Sequence, residues 1–131
     1  MTDATRIRAL VVDDEPLARS MIREMLESDS GVEVVGECAN GREAVEVIKS
    51  SAPDIVFLDL ELPDGGGIPV AQHLVRDARK RRPRLIALTK HSEDPMYAKA
   101  RAAGFERLLL KPVSHQELDR ILGISEASVQ G

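Results

Sequence analysis

The chain has 131 residues, of which 43% are hydrophobic and 31% charged, and its formal net charge is −4. This size and composition are typical of one soluble globular domain, and the negative charge argues against non-specific nucleic-acid binding. The single cysteine excludes an intrachain disulfide. The N-terminus lacks the apolar core of a signal peptide, and no apolar run approaches the ~20 residues of a membrane span. We therefore expect a cytoplasmic protein that contacts neither nucleic acid nor membrane directly.

The first half of the chain alternates apolar runs with amphipathic segments. Residues 7–12 form an apolar run that predicts a buried strand. Glu15 and Pro16 are typical of a helix start, and the apolar residues that follow recur on one helical face. These residues are Leu17, Met21, Ile22, Met25 and Leu26. Residues 32–38 predict a second strand, and Gly41 separates it from a second helix.

The alternation continues beyond residue 50. Residues 55–58 predict a third, fully apolar strand. A third helix is expected over residues 69–80, beginning at Pro69. Residues 84–88 predict a fourth strand, and a fourth helix is expected from Asp94 to a C-terminal stop at Gly104.

The last elements complete the pattern. Residues 107–110 predict a fifth strand, and Ser114 with Glu117 forms a capping box for a helix over residues 116–122. We expect one domain over residues 1–122 and a frayed polar tail over residues 123–131. Five apolar strands, each followed by a helix, predict an α/β fold with a doubly wound parallel sheet covered on both faces.

Polar side chains collect where the predicted strands end. Asp13 and Asp14 follow the first strand, Asp59 the third, Thr89 the fourth and Lys111 the fifth. Ligands of open parallel sheets bind beyond the carboxyl ends of the strands. Because adjacent carboxylates repel each other, this group predicts a bound cation, and Mg²⁺ prefers such oxygen ligands.

The same group of residues suits a phosphoryl ligand. Asp59 is the candidate nucleophile, since carboxylates form acyl phosphates. Lys111 would neutralise the phosphoryl oxygens, and Thr89 would donate a hydrogen bond to one of them. The glycines of residues 65–67 are expected to let the backbone approach a ligand closely.

Four motifs give the chain a family resemblance over about residues 6–122. Thr89 and Lys111 lie 30 and 52 residues after Asp59, spacings typical of the receiver domains of two-component response regulators, of which the bacterial chemotaxis regulator is the type. The motifs are "VVDDEP" at 11–16, "FLDLELPDGGG" at 57–67, "LIALT" at 85–89 and "LLLKP" at 108–112. The resemblance implies a flavodoxin-like sheet with strand order 2-1-3-4-5.

The resemblance also implies roles for the residues at the sheet edge. Asp59 would accept a phosphoryl group from a sensor histidine kinase or a histidine phosphotransfer protein. Mg²⁺ would be held by Asp14, Asp59 and the backbone carbonyl of Glu61, with Asp13 acting mainly through water. Thr89 would move toward the phosphoryl group and Lys111 would pair with it.

In this family, phosphorylation changes a surface built by the fourth helix, fifth strand and fifth helix. A downstream effector would bind there, and the chain would be a monomer or a phosphorylation-dependent dimer. Only self-phosphorylation and self-dephosphorylation are expected of it, so it would not be an enzyme with an external product. The family also implies a cis peptide between Lys111 and Pro112.

The sequence departs from the family pattern at several modulating positions. Leu108 stands where many relatives carry an aromatic residue that moves with the threonine. Lys90 stands where most have a small residue, and it would either obstruct phosphodonors or attract the phosphoryl group. Glu61 and His91 occupy the two positions that tune the lifetime of the phosphate in this family.

Other interpretations remain open. Asp13 and Asp14 could be a helix N-cap pair, and Glu15 a first-turn acid that complements the helix dipole. The chain could be an interaction module that works without phosphorylation. As a remote alternative, it could be a haloacid-dehalogenase-like phosphatase with Asp59 as nucleophile and Glu61 as general acid.

Overall fold

The computed structural model describes residues 6–77, 81–91 and 94–123. The strands are β1 (Ile7–Val12), β2 (Val32–Cys38), β3 (Ile55–Asp59), β4 (Arg84–Thr89) and β5 (Arg107–Leu110). The helices are α1 (Pro16–Glu27), α2 (Gly41–Ser51), α3 (Gly67–Arg76), α4 (Asp94–Ala103) and α5 (His115–Leu122). The predicted tail beyond residue 123 lies outside the described residues.

The five strands form one parallel sheet in the order β2-β1-β3-β4-β5. The predicted fold class and strand order are therefore confirmed. Strand order reverses between β1 and β3, and the carboxyl ends of these two central strands carry the acidic residues. In doubly wound sheets this reversal opens the crevice in which ligands bind.

Two apolar layers cover the sheet. On one face, α1 and α5 pack through residues such as Ile22, Leu26 and Leu118. On the other face, α2, α3 and α4 pack through residues such as Ile48 and Leu74. Because β3 is buried along its whole length between these layers, its last residue is held rigidly at the sheet edge.

Side-chain caps fix the start of two helices. The Asn40 side chain accepts a hydrogen bond from the Glu43 N–H at the start of α2. The predicted capping box is present at α5, where Ser114 and Glu117 bond each other's backbone N–H groups. The Lys111–Pro112 peptide is cis, as the family resemblance implies.

Two expectations for the helices were wrong in detail. The third helix begins at Gly67 rather than Pro69 and ends at Arg76, because Asp77 has left helical geometry. Residues 78–80, which were expected to continue it, lie outside the described residues. Leu17 and Met21, which belong to the apolar face predicted for α1, are exposed. No helix in the described part of the chain is long and apolar enough to cross a membrane.

Candidate functional site

Three polar residues are buried at the carboxyl edge of the sheet. Asp13, Asp59 and Thr89 are at most 1% exposed, although each stands at or just beyond the end of an apolar strand. Asp14, beside them, is exposed. The structure therefore brings the predicted polar residues of β1, β3 and β4 together at one point.

Lys111, from the end of β5, lies at the centre of this group. Its Nζ atom is 2.9 Å from Asp13 Oδ2, 3.1 Å from Asp59 Oδ2 and 3.1 Å from Glu15 Oε1. Burial alone would lower the pKa of Lys111, but hydrogen bonds to Asp13 and Asp59 outweigh it and the net pKa is raised. Lys111 is therefore a fixed positive charge between buried carboxylates.

Asp59 is held at both of its oxygens. Oδ1 accepts a hydrogen bond from the Glu61 N–H at 2.8 Å, and Oδ2 accepts one from Lys111. Burial nevertheless raises the pKa of Asp59 to about 6; the two hydrogen bonds oppose this shift and the charge of Asp13 adds to it. Burial is therefore the main reason that the Asp59 carboxyl holds its proton more tightly than an exposed aspartate does.

The raised pKa of Asp59 predicts a pH-dependent stability. In the unfolded chain this carboxyl titrates near pH 4, so between pH 4 and 6 the folded protein binds more protons. Its free energy of unfolding should fall as pH rises through this window. A pKa raised from near 4 to about 6 corresponds to a fall in the free energy of unfolding on the order of 3 kcal/mol.

Urea unfolding of the wild type and of Asp59→Asn, measured from pH 4 to 7.5, checks this expectation. The variant lacks the titrating group, so the wild-type stability should decline relative to it as the pH rises. Parallel stability curves for the two proteins would contradict the assignment.

Thr89 is engaged by a neighbouring acid. Its hydroxyl donates to Glu61 Oε2 at 2.7 Å and accepts a hydrogen bond from the His91 N–H at 3.0 Å. The ring Nε2 of His91 lies 3.8 Å from the same Glu61 oxygen. Thr89 must therefore give up its bond to Glu61 before it can donate to another ligand.

Glu15 joins two lysines at the mouth of the site. Its carboxylate bonds Lys111 through Oε1 and Lys90 through Oε2, the latter at 2.8 Å. The hydrogen bond from Lys90, followed by that from Lys111, lowers the pKa of Glu15. The same contact raises the pKa of Lys90. The N-cap residue of α1 is thus part of the charged network.

The carboxylates can hold a divalent cation. One oxygen each from Asp13, Asp14 and Asp59 lies within 4.8 Å of the other two. The oxygens of these three carboxylates carry like charges at close range, and a hard cation with oxygen ligands fits this donor set. Exposed Asp14 leaves one side of the group open to water, which Mg²⁺ commonly keeps as ligand.

Two glycines of residues 65–67 lie very close to the backbone at the end of β3. A Cβ atom on Gly67 would lie 2.6 Å from the carbonyl oxygen of Asp59, and one on Gly66 would overlap that of Leu60. This close approach seats the first turn of α3 directly on the end of β3.

Sequence reasoning missed the roles of Glu15 and the Glu61 side chain. Glu15 follows the aspartate pair after β1, and Lys90 follows Thr89 after β4. A signal was present, because Glu15 and Lys90 carry opposite charges just beyond the ends of β1 and β4, the two strands that flank β3 in the sheet. Leu108 lies partly buried against the core layer that contains α4, where it takes no part in the polar network described above.

The comparisons with known proteins agree with this geometry. The sequence model described as "Response regulator receiver domain" matches residues 9–122. The chain is 37% identical over 112 residues to the response regulator UvrY of Escherichia coli K12, covering 86% of the chain and 50% of that protein. It is also 37% identical over 116 residues to the transcriptional regulatory protein BtsR of Salmonella typhi, covering 88% and 46% respectively.

A solved structure extends the similarity to three dimensions. The signal receiver domain of the response regulator NarL from Mycobacterium tuberculosis superimposes with a TM-score of 0.84 at 30% identity, covering 89% of this chain and 93% of that one. The chain spans about half the length of the curated relatives it matches.

Proposed function

The chain belongs to the family of response regulator receiver domains, and on that premise we propose that Asp59 is its phosphoacceptor. The observation that supports this role is the contact of Lys111 with Asp59 at 3.1 Å within a buried group of carboxylates. A buried carboxylate can attack a phosphorus atom when a neighbouring ammonium group balances the negative charge of the phosphoryl oxygens.

The transfer follows from the groups around Asp59. A carboxylate oxygen of Asp59 attacks the phosphorus of a phosphohistidine and forms the acyl phosphate. The P–N bond breaks, and its electron pair stays on the histidine nitrogen of the donor. Lys111 neutralises phosphoryl oxygens, and Thr89, once released from Glu61, donates its hydroxyl to one of them.

A bound Mg²⁺ would supply charge neutralisation for the phosphoryl oxygens. Asp13, Asp14, Asp59 and the backbone carbonyl of Glu61 are the groups that we propose hold it. The donor set supports this choice because all are hard oxygen ligands. Asp59 would thus be a ligand and the nucleophile at once, which orients its carboxylate toward the donor.

Incubation with acetyl phosphate and Mg²⁺, followed by intact-protein mass measurement, tests the acceptor. We expect the mass of one added phosphoryl group in the wild type, and none in Asp59→Asn or in the presence of a metal chelator. A Glu61→Gln variant, which keeps the backbone carbonyl, should still gain the group. Equal labelling of Asp59→Asn would contradict the proposed acceptor.

The proposed phosphodonor is a sensor histidine kinase or a histidine phosphotransfer protein. A groove of about 260 Å³ beside the site, lined partly by Met21, Met25 and Val113, supports docking of a donor helix there. For the output, exposed Tyr97 on α4 and Leu110 on β5 support an effector surface over α4, β5 and α5. In the same proposal the chain is a monomer or forms a dimer on phosphorylation.

We place this activity in the cytoplasm, with no direct contact to nucleic acid, and with no chemistry beyond loading and loss of the chain's own phosphoryl group. A second candidate is an interaction module independent of phosphate. The Thr89–Glu61 hydrogen bond and the aliphatic Leu108 favour it, because both oppose threonine-linked switching. Unchanged effector binding by Asp59→Asn would support this second candidate.

A further inference from the structure

The ammonium group of Lys111 has no spare donor. It carries three N–H bonds, and three carboxylates surround it, those of Asp13, Glu15 and Asp59. A phosphoryl oxygen arriving at Asp59 can bind Lys111 only if one of these carboxylates withdraws. Loading of the site therefore requires an exchange of partners at Lys111.

Glu15 is the carboxylate that can withdraw. The Asp13 side chain is fully buried, and its other oxygen accepts the Glu15 N–H at 2.9 Å. The Asp59 side chain is 2% exposed and is the acceptor itself. The Glu15 side chain is 43% exposed, so it can leave Lys111 without losing hydration.

Lys90 gives Glu15 a second partner. Its ammonium bonds the other Glu15 oxygen at 2.8 Å, and its side chain is 57% exposed. Lys90 belongs to the segment after β4, whereas Lys111 follows β5, so the two cations approach Glu15 from different segments. Glu15 can therefore turn from Lys111 to Lys90 and keep an ion pair.

We propose that Lys90 is a positioning residue that draws Glu15 away from Lys111, which frees a donor of Lys111 for the phosphoryl group. This inference rests on the proposed phosphoacceptor function. It also assigns Glu15 a role as a competitor that occupies Lys111 until the phosphoryl group arrives. The positive charge of Lys90 then affects the rate of phosphoryl uptake more than the volume of its side chain does.

The test compares the initial rate of phosphoryl uptake from acetyl phosphate with Mg²⁺ across a set of variants. Lys90→Met keeps most of the side-chain volume but loses the charge, and we expect it to react about fivefold more slowly, the effect of one half-exposed ion pair. Lys90→Arg should restore a rate near that of the wild type. Lys49→Ala, which removes an exposed lysine of α2, is the control and should leave the rate unchanged.

The same substitution made in a Glu15→Gln protein distinguishes this mechanism from a direct contact of Lys90 with the phosphoryl group. With Glu15→Gln, the competing charge is gone, so adding Lys90→Met should have no further effect on the rate. Beryllium trifluoride is a non-covalent mimic of the phosphoryl group, and calorimetry measures its affinity in the presence of Mg²⁺. We expect Lys90→Met to lower this affinity in the wild-type background and to leave it unchanged in the Glu15→Gln background.

Three outcomes would overturn the proposal. A rate for Lys90→Met equal to or above that of the wild type would mark Lys90 as an obstruction. An equal slowing in the Glu15→Gln background would mark direct action on the phosphoryl group. Absence of uptake and of mimic binding in every protein would overturn the proposed function itself, and this inference with it.

Discussion

Replacing Lys111 with methionine should destabilise the protein by about 3 kcal/mol, because it leaves Asp13 and Asp59 buried and facing each other without a counter-charge. The side-chain stem is largely kept, so the loss reports the ammonium group rather than a cavity. The pKa of Asp59, already about 6, should rise further. Phosphoryl uptake should fall severely for the same reason. Urea unfolding at pH 7.5 and the mass measurement check both effects.

A second substitution identifies the cause of this loss. Asp13→Asn on the Lys111→Met background removes one of the two repelling charges and should recover part of the stability, as should millimolar Mg²⁺. Lys49→Ala, the loss of an exposed lysine, should change stability by less than about 0.5 kcal/mol. A Lys111→Met protein as stable as the wild type, without added metal, would show that water already screens these carboxylates.

Gly66→Ala and Gly67→Ala should each cost about 3 kcal/mol of stability. At Gly67 the new Cβ would meet the Asp59 carbonyl oxygen at 2.6 Å and Leu58 Cγ at 3.0 Å, and overpacking of this kind costs roughly 1–3 kcal/mol or more. At Gly66 the Cβ would overlap the Leu60 carbonyl, and a φ of +88° adds backbone strain. Urea unfolding of each variant gives the cost.

Gly65→Ala is the matched control in the same loop. Its φ of +113° is also unfavourable for alanine, but the nearest atom to the new Cβ is Pro69 Cγ at 3.9 Å. We therefore expect a cost of about 1 kcal/mol, from strain alone. If all three variants lost the same stability, the close approach of α3 to the end of β3 would not be what requires glycine.

The fold was predictable because its signals are local and repeated. Each strand is a short apolar run followed by an amphipathic segment, and polar residues mark each transition. The end of α3 was not predictable from periodicity, since the basic residues that follow Arg76 are also good helix formers. The exposure of Leu17 and Met21 on α1 was not predicted. An apolar helical face indicates burial, but it does not identify the element that would cover each residue.

The residues of the site could be predicted wherever the end of a strand could be predicted. Asp13, Asp59, Thr89 and Lys111 each stand at such an end, and the sheet brings them together. The partners of these residues were not predictable, because hydrogen bonds between side chains depend on rotamers. Nothing in the sequence indicates that the Thr89 hydroxyl bonds Glu61 rather than remaining available.

The bond between Lys111 and Asp13 joins residues 98 positions apart. During synthesis on the ribosome, β1 and β3 emerge long before Lys111 does, so an incomplete chain presents Asp59 without the cation that serves it. The proposed acceptor would therefore become competent only when almost the whole domain has been made and folded. Nascent and truncated chains would then be silent in signalling, with no separate proofreading step.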